Sequence, residues 1–510
     1  MREVALLLLG AAAMHAAVIR GVVVENSSGK ALARTPITLT PLPGTNAGTQ
    51  IQRSTVYGNF EFAGVPAGAY IVSAARRGFP PVQYGQKSWR GAGAPVVVAE
   101  DQSMFLNIRM PRYGGITGMV VDENDAGMPE HEVVAYLMAK PPRLVTRAQA
   151  DERGVFRISE LMPGRYLVRS AARLYEDMGY VPTFAKETIQ VEDASFVDVD
   201  LDHDSGDVRV RPQQGRLHNI SGEASCAAVA GAPPPHATIT LVSDMGRENV
   251  GGVCPGVPFH FTSKPPGQYE IWASSDVGAC NNVPPVRCGA YFSFKIDDKD
   301  YQRDFPLLPS AEVGISFYGP KGRIDPKNFA VQMRRVDLAG ESPPEKELIK
   351  NGRESVFQGP WQFRMMPNPQ YVATRFRGCR MTERGGGGRG DGWNEVLIDS
   401  RSCGVTFWVA SPATIRGTVT NAHDPVPGAP VFLEAWDPHE QRRIGELHVV
   451  RADMFGKYEL TGLAPGAYRL VSTFEFLSPE QMDIDGMLPL TVKVEEGREQ
   501  QQDVDLFVIR

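Results

Sequence analysis

Asp453-Met-Phe-Gly456-Lys-Tyr458-Glu-Leu460-Thr-Gly-Leu-Ala-Pro465-Gly466-Ala-Tyr468 is the stretch from which the rest of the chain is read. Asp-x-x-Gly predicts a turn: the aspartate hydrogen-bonds its own backbone, and Gly456 accepts the positive φ that closes it. Tyr458 and Leu460 then alternate with polar neighbours, as in a half-buried strand. Pro465-Gly466 predicts a second turn, proline fixing φ at its second position and glycine taking the left-handed third. Tyr468 and Leu470 open the next strand. The unit reads as a β-hairpin with an aromatic near the start of each arm.

The same unit recurs five times. An aromatic is followed ten residues later by Tyr at Phe60/Tyr70, Phe156/Tyr166, Phe259/Tyr269, Trp361/Tyr371 and Tyr458/Tyr468. Phe62, Ile158, Phe261, Phe363 or Leu460 stands two positions after the first aromatic. Glycine stands two before the Tyr at Gly68, Gly164, Gly267 and Gly466, and the fourth copy has Pro369 there. Each repeat opens on a short apolar strand, as in Ile19-Arg-Gly21-Val-Val-Val, Ile116-Thr-Gly118-Met-Val-Val and Ile415-Arg-Gly417-Thr-Val. It closes on an alternating one: Phe105 to Met110, Val197 to Leu201, Phe305 to Leu307, Phe407 to Val409, Val504 to Leu506. Short alternating strands separated by turn residues, without sustained helical periodicity, predict an all-β chain of five tandem antiparallel β-sandwiches. The expected limits are 18–112, 113–204, 205–309, 310–410 and 411–510, with repeats 3 and 4 degenerate.

Units of about a hundred residues carry their own cores. The picture is beads on a string: short proline-bearing linkers (Met110-Pro-Arg-Tyr113, Leu308-Pro-Ser310, Ser411-Pro412) hold neighbours at restricted angles. Five such domains in line would reach roughly 150–200 Å. The net charge of −6, with acids and bases interspersed, argues against nucleic acid as a partner.

Arg2 followed by the apolar run Val4 to Ala13 and small residues through Ala17 reads as a signal peptide over residues 1–17. The run is short for an uncleaved anchor, the rival reading, and no other stretch is apolar enough to span a bilayer. No cysteine precedes Cys226, so a lipid-anchored N-terminus is not expected. The chain is therefore expected to be exported, to the periplasm, the cell surface or the medium. Cys226, Cys254, Cys280 and Cys288 fall in repeat 3, and Cys379 and Cys403 in repeat 4. Even counts within repeats suit intradomain disulfides. Of the three pairings open to repeat 3, Cys226–Cys254 with Cys280–Cys288 is preferred, and Cys379–Cys403 follows. A zinc site is the rival, but there is no CxxC.

The run I-x-G-x-V, turn, short strand, D-x-x-G-x-F/Y-x-F/L…P-G-x-Y resembles carboxypeptidase regulatory-like domains, closely in repeats 1, 2 and 5 and more loosely in 3 and 4. The resemblance implies a seven-stranded transthyretin-like (prealbumin-like) sandwich, grouped with carbohydrate-binding-like folds. Repeats 1 and 2 also look like large exported bacterial proteins, through Val82-Gln-Tyr84-Gly-Gln86 and Tyr180-Val-Pro-Thr-Phe184. In metallocarboxypeptidases such a domain accompanies a separate catalytic zinc domain, for which the five repeats leave no stretch.

No HExxH, no HxxE and no G-x-S-x-G occurs, so neither an enzyme nor a cofactor is expected. Asp202-His-Asp204-Ser-Gly206-Asp207 and Asp483-Ile-Asp485 alternate oxygen ligands without completing a calcium loop, and an ordinary acidic turn is the preferred reading. Arg389-Gly390-Asp391 matches an integrin-type tripeptide in a glycine-rich run, read as accidental. Loop aromatics are the better lead. Tyr84 and Trp89 lie in a loop mixing rings with basic and amide groups, Trp272 shares a strand face with Glu270, and Trp393 ends the run from Gly385. Such rings suit sugars by stacking plus polar edge contacts, although loop packing or domain–domain contact is the ordinary reading, because loops this long fold back on their own side chains. The expected function is an exported non-enzymatic binding protein, with polysaccharide as the favoured partner. A structural or adhesive rod binding a cell-surface protein, or an accessory regulator of a separately encoded carboxypeptidase, stands as the alternative.

Overall fold

The computed structural model describes residues 17–138, 142–175, 178–226, 234–275, 287–337, 347–349, 352–381, 392–399 and 401–509. Residues 1–16 of the expected 1–17 signal peptide, Cys280 and the Arg389-Gly390-Asp391 tripeptide lie outside them, while Ala17 is the buried first residue of a strand. Of the described residues 60% are strand and 2% helix, and the buried apolar ones gather into five separate main cores, one per repeat.

In the first repeat the opening strand Ala17–Glu25 is central in one sheet. It pairs antiparallel with Asn59–Val65 and parallel with Ser103–Met110. The facing sheet places Pro36–Pro41 between Gln50–Arg53 and Gly68–Arg76. Phe79–Gln83 and Val96–Val98 extend the far side. A parallel pair needs a crossover connection, and here the whole intervening module is that connection. The parallel pairing of first and last strands recurs in every repeat. In the second repeat the closing strand is Asp204–Val210, so it runs past the expected limit at 204. The expected closing segment instead contributes Val197–Val199 to the opposite sheet.

The hairpin behaves as its sequence implies, with one change. Asp453 Oδ1 accepts the Phe455 and Lys457 backbone N–H groups, both at 2.8 Å. Gly456 has φ +76°. Gly466, however, has φ +154°, positive but far from the roughly +80° of the predicted turn position. The left-handed residue of this hairpin is Gly462 (φ +71°), at a bulge where the register slips between Ala413 and Ile415. The second aromatic of the unit is a buried anchor. Its hydroxyl donates to the carbonyl four residues back in Tyr70, Tyr166, Tyr269 and Tyr468, at 2.7–2.8 Å.

The fourth repeat corrects the alignment of its copy. Ala311 pairs with Val356 as Ala17 pairs with Val65, and no bulge intervenes. Counting five residues on from Val65 and Val356 gives Tyr70 and Trp361. Trp361 Nε1 donates to Phe357 O at 2.8 Å, so Trp361 fills the Tyr position and Tyr371 lies outside the unit.

Disulfides Cys226–Cys254 and Cys379–Cys403 join cysteines with Cα–Cα distances of 5.5 and 5.3 Å. The Cys280–Cys288 pairing falls on Cys280, which is not described.

Candidate functional site

The five sandwiches are not strung out in line. Each touches the next, and the fifth returns to the first, which replaces the extended arrangement expected from the linkers. All but the contact between 1 and 2 use one surface of the module, the outer face of the sheet that carries the anchor strand.

Between sandwiches 1 and 2, Asp202 accepts from the Arg112 backbone N–H at 2.8 Å and from Asn26 Nδ2 at 2.9 Å. Arg112 also pairs with the buried Glu25. Hydrogen bonds to Ser28 and Arg112 hold the Glu25 carboxyl below its ordinary pKa. Asp202 is thus a bridging residue between domains, and Asp204 pairs with Arg157 at 3.0 Å.

Between 2 and 3, the turn bearing Met245 covers an apolar face made by Val134, Tyr136, Leu167 and Phe184. Arg169 pairs with Asp244 at 2.6 Å. Burial, with Asp244 adding to it, pushes the Tyr136 phenol up to about 12.

Between 3 and 4, Arg247 makes two bonds of 2.7 and 2.9 Å to Asp337, whose side chain is fully buried. Trp272 lies in this seam at 2% exposure. Its Nε1 donates to Glu270 at 3.2 Å, and the Arg335 guanidinium lies 4.5 Å from its ring centroid. The strand alternation that put Trp272 beside Glu270 was right, but the fourth sandwich covers that face, so Trp272 is not an exposed platform.

Between 4 and 5, Arg364 pairs with Glu446 at 3.0 Å. Trp393, half-buried, has the guanidinium groups of Arg334 and Arg364 at 4.0 and 4.7 Å from its ring. Burial and the neighbouring Arg364 draw the Arg334 pKa below the usual guanidinium range, with Glu446 opposing them.

The closing contact joins 5 to 1. Arg90 pairs with Asp483, and Lys87 with Glu475 at 3.2 Å. Ala92 N–H donates to Phe474 O at 2.8 Å, and Arg451 donates to Gln83 Oε1 at 3.0 Å. Met454, from the turn that opens the last hairpin, packs on Leu42, Ala69 and Ile71 of the first sandwich. Sequence gave no warning of this contact; the one available signal is that positions 454 and 455 of an exposed-type turn are apolar.

The loop from Gln83 to Gly93 therefore has two sides. One faces the fifth sandwich. The other lines a cleft of about 650 Å³ where sandwiches 1 and 2 meet Leu477 of sandwich 5. Trp89 stands on it at 38% exposure. Pro80, Pro81 and Leu201 supply apolar wall, and Asn26, Gln86, Lys87, Arg109 and Asp202 supply polar groups. The volume lies in the range of small-ligand sites. Tyr84, expected beside Trp89, instead packs half-buried against the core of the first sandwich. Of the four expected aromatics the fold thus gives one, Trp89, to an open cleft.

No protein-family model and no curated protein sequence matches this chain. Partial likenesses to solved structures occur. The minor pilin GBS52 of Streptococcus agalactiae is 15% identical, covering 39% of this chain and 97% of that one, with a TM-score of 0.25. The Bacillus anthracis TIE protein is 10% identical over 74% and 68%, with a TM-score of 0.17. The major pilin subunit BcpA of Bacillus cereus is 10% identical over 77% and 99%, with a TM-score of 0.15.

Proposed function

We propose that this chain is an exported, non-enzymatic scaffold that binds a macromolecule of the cell envelope, and that the cleft beside Trp89 is where it does so. The carrying observation is the division among the aromatic candidates. Trp272 and Trp393 are closed into domain seams against arginines at 4.0–4.7 Å, Tyr84 backs onto its own core, and Trp89, with Arg90 at 6.0 Å from its ring, stands half-open beside a roomy cleft. Two disulfides suit an oxidising compartment. The carboxypeptidase regulatory-like resemblance of repeats 1, 2 and 5 supports a binding and spacing role for the modules. Carboxylates that could have served chemistry, such as Asp202, Asp337 and Asp483, are engaged with arginines or backbone donors between domains.

A pull-down from the native envelope with the mature chain tests this reading. A partner retained by the wild type and lost from Trp89→Ala supports it. A partner held equally by both overturns the assignment of the cleft.

One observation favours a second reading, adhesion to another protein. Val56 and Tyr57 occupy the turn positions of Met454 and Phe455 in the first repeat, and they are 67% and 76% exposed. Loss of the envelope partner from Val56→Ser/Tyr57→Ser, with Trp89→Ala unaffected, would select it.

A further inference from the structure

Resting on the reading of the Trp89 cleft as a binding site, the geometry points to a carboxylate-bearing glycan strand, a uronate polymer, as its ligand. The indole face offers flat apolar area to a sugar ring, and the amides of Asn26 and Gln86 lie on the same lining to meet hydroxyls. The charge on that lining is what narrows the class. Asp202 is satisfied by Arg112 and Asn26. Lys87 is paired with Glu475 at 3.2 Å. Arg109 is exposed, makes one long bond of 3.5 Å to Asn26 O, and has no carboxylate partner among the described residues. A guanidinium fork left uncommitted beside a stacking surface matches a planar carboxylate carried on a ring. A neutral glycan would leave Arg109 as it stands, and a charged chain without rings would leave Trp89 idle.

The test is titration calorimetry of the full mature chain against tetragalacturonate, cellotetraose and polyphosphate. Tetragalacturonate is expected to bind, more weakly as salt rises. Trp89→Ala should lower its affinity about tenfold, and Trp89→Phe should retain most of it. Arg109→Gln should lower it about tenfold or more, while any cellotetraose binding stays unchanged. Both side chains are surface-placed, so an unchanged melting curve accompanies each variant. Equal binding of cellotetraose and tetragalacturonate, indifferent to Arg109→Gln, overturns the acidic class and leaves the cleft standing. Polyphosphate binding as tight as tetragalacturonate overturns the requirement for a ring. If no oligosaccharide binds while the envelope partner is still lost from Trp89→Ala, the glycan class falls and the binding site survives. If that partner is indifferent to Trp89, the site itself falls.

Discussion

The fourth and fifth sandwiches share one scaffold, an opening strand between the first hairpin arm and the closing strand, and build it from different residues. In the fifth, Gly417 leaves space beside the opening strand, and the Tyr458 ring packs into it; a Cβ there would come within 2.9 Å of the ring and collide with Gln502 O. In the fourth, Ile315 takes the glycine position and is itself buried, and Gly352 faces it in place of the aromatic. The anchor is Tyr468 in one and Trp361 in the other, each donating to the carbonyl four residues back. The fifth has a bulge in its first arm and the fourth has none. The module is thus specified by volumes and by one donor at a fixed place relative to the closing turn. Residue identities are exchangeable provided neighbouring volumes exchange with them.

The sharpest way to break this equivalence is to remove the anchors. Tyr468→Ala and Trp361→Ala should each destabilise their own sandwich by about 3–5 kcal/mol, the usual penalty for truncating a buried aromatic. Tyr371→Ala should cost no more than about 1–2 kcal/mol, because Tyr371 is only half-buried against Phe329. Denaturant unfolding followed by hydrogen exchange on peptides from each sandwich reads all three. A Tyr371 effect as large as that of Trp361 would restore the register expected from sequence.

The next largest difference is covalent. Cys379–Cys403 closes a 24-residue separation in the fourth sandwich, and the fifth has no cysteine. Chain-entropy reasoning gives such a loop about 3 kcal/mol. Reduction, or Cys379→Ser/Cys403→Ser, should therefore lower protection in the fourth sandwich and leave the fifth unchanged. Equal loss in both would mean that the seam through Arg364 and Glu446 makes the two unfold as one unit.

The same contrast shows what sequence could carry. The all-strand class, the five copies and the turns at Gly58, Gly154 and Gly456 were legible, because alternation and turn chemistry act over a few residues. The fourth register was not. The ten-residue spacing links two aromatics, whereas the distance common to the five repeats runs from the end of the first arm to the anchor, and a missing bulge changes the first without touching the second. The seams were not legible either. Alternation placed Trp272 on a sheet face beside Glu270 but could not say that Arg335, from another sandwich, covers that face. Met454 reaches Leu42 across most of the chain, and Asp483 reaches Arg90 likewise. Neither pair leaves a local pattern, so the loop that holds Trp89 was found while the domains that wall its cleft were not.

The smallest effect separates the two sandwiches by pH. The Tyr458 hydroxyl donates to Gln502 O at 2.5 Å, and burial, with Asp503 adding to it, raises its pKa above the ordinary phenol value. A raised acid favours the neutral form in the folded state. Its contribution is complete below about pH 10, the unfolded value, and is lost as pH climbs from there toward the folded pKa. The fourth sandwich has Gly352 at that place and Trp361 as its anchor, and neither side chain carries an ionisable group. Between about pH 10 and 11 the fifth sandwich should therefore lose protection before the fourth. Tyr458→Phe should cost about 1 kcal/mol at neutral pH, the worth of one hydrogen bond, and should remove the alkaline difference. An alkaline loss that persists in Tyr458→Phe would assign the sensitivity to another group and remove the donor at 458 from the account of how the fifth sandwich differs from the fourth.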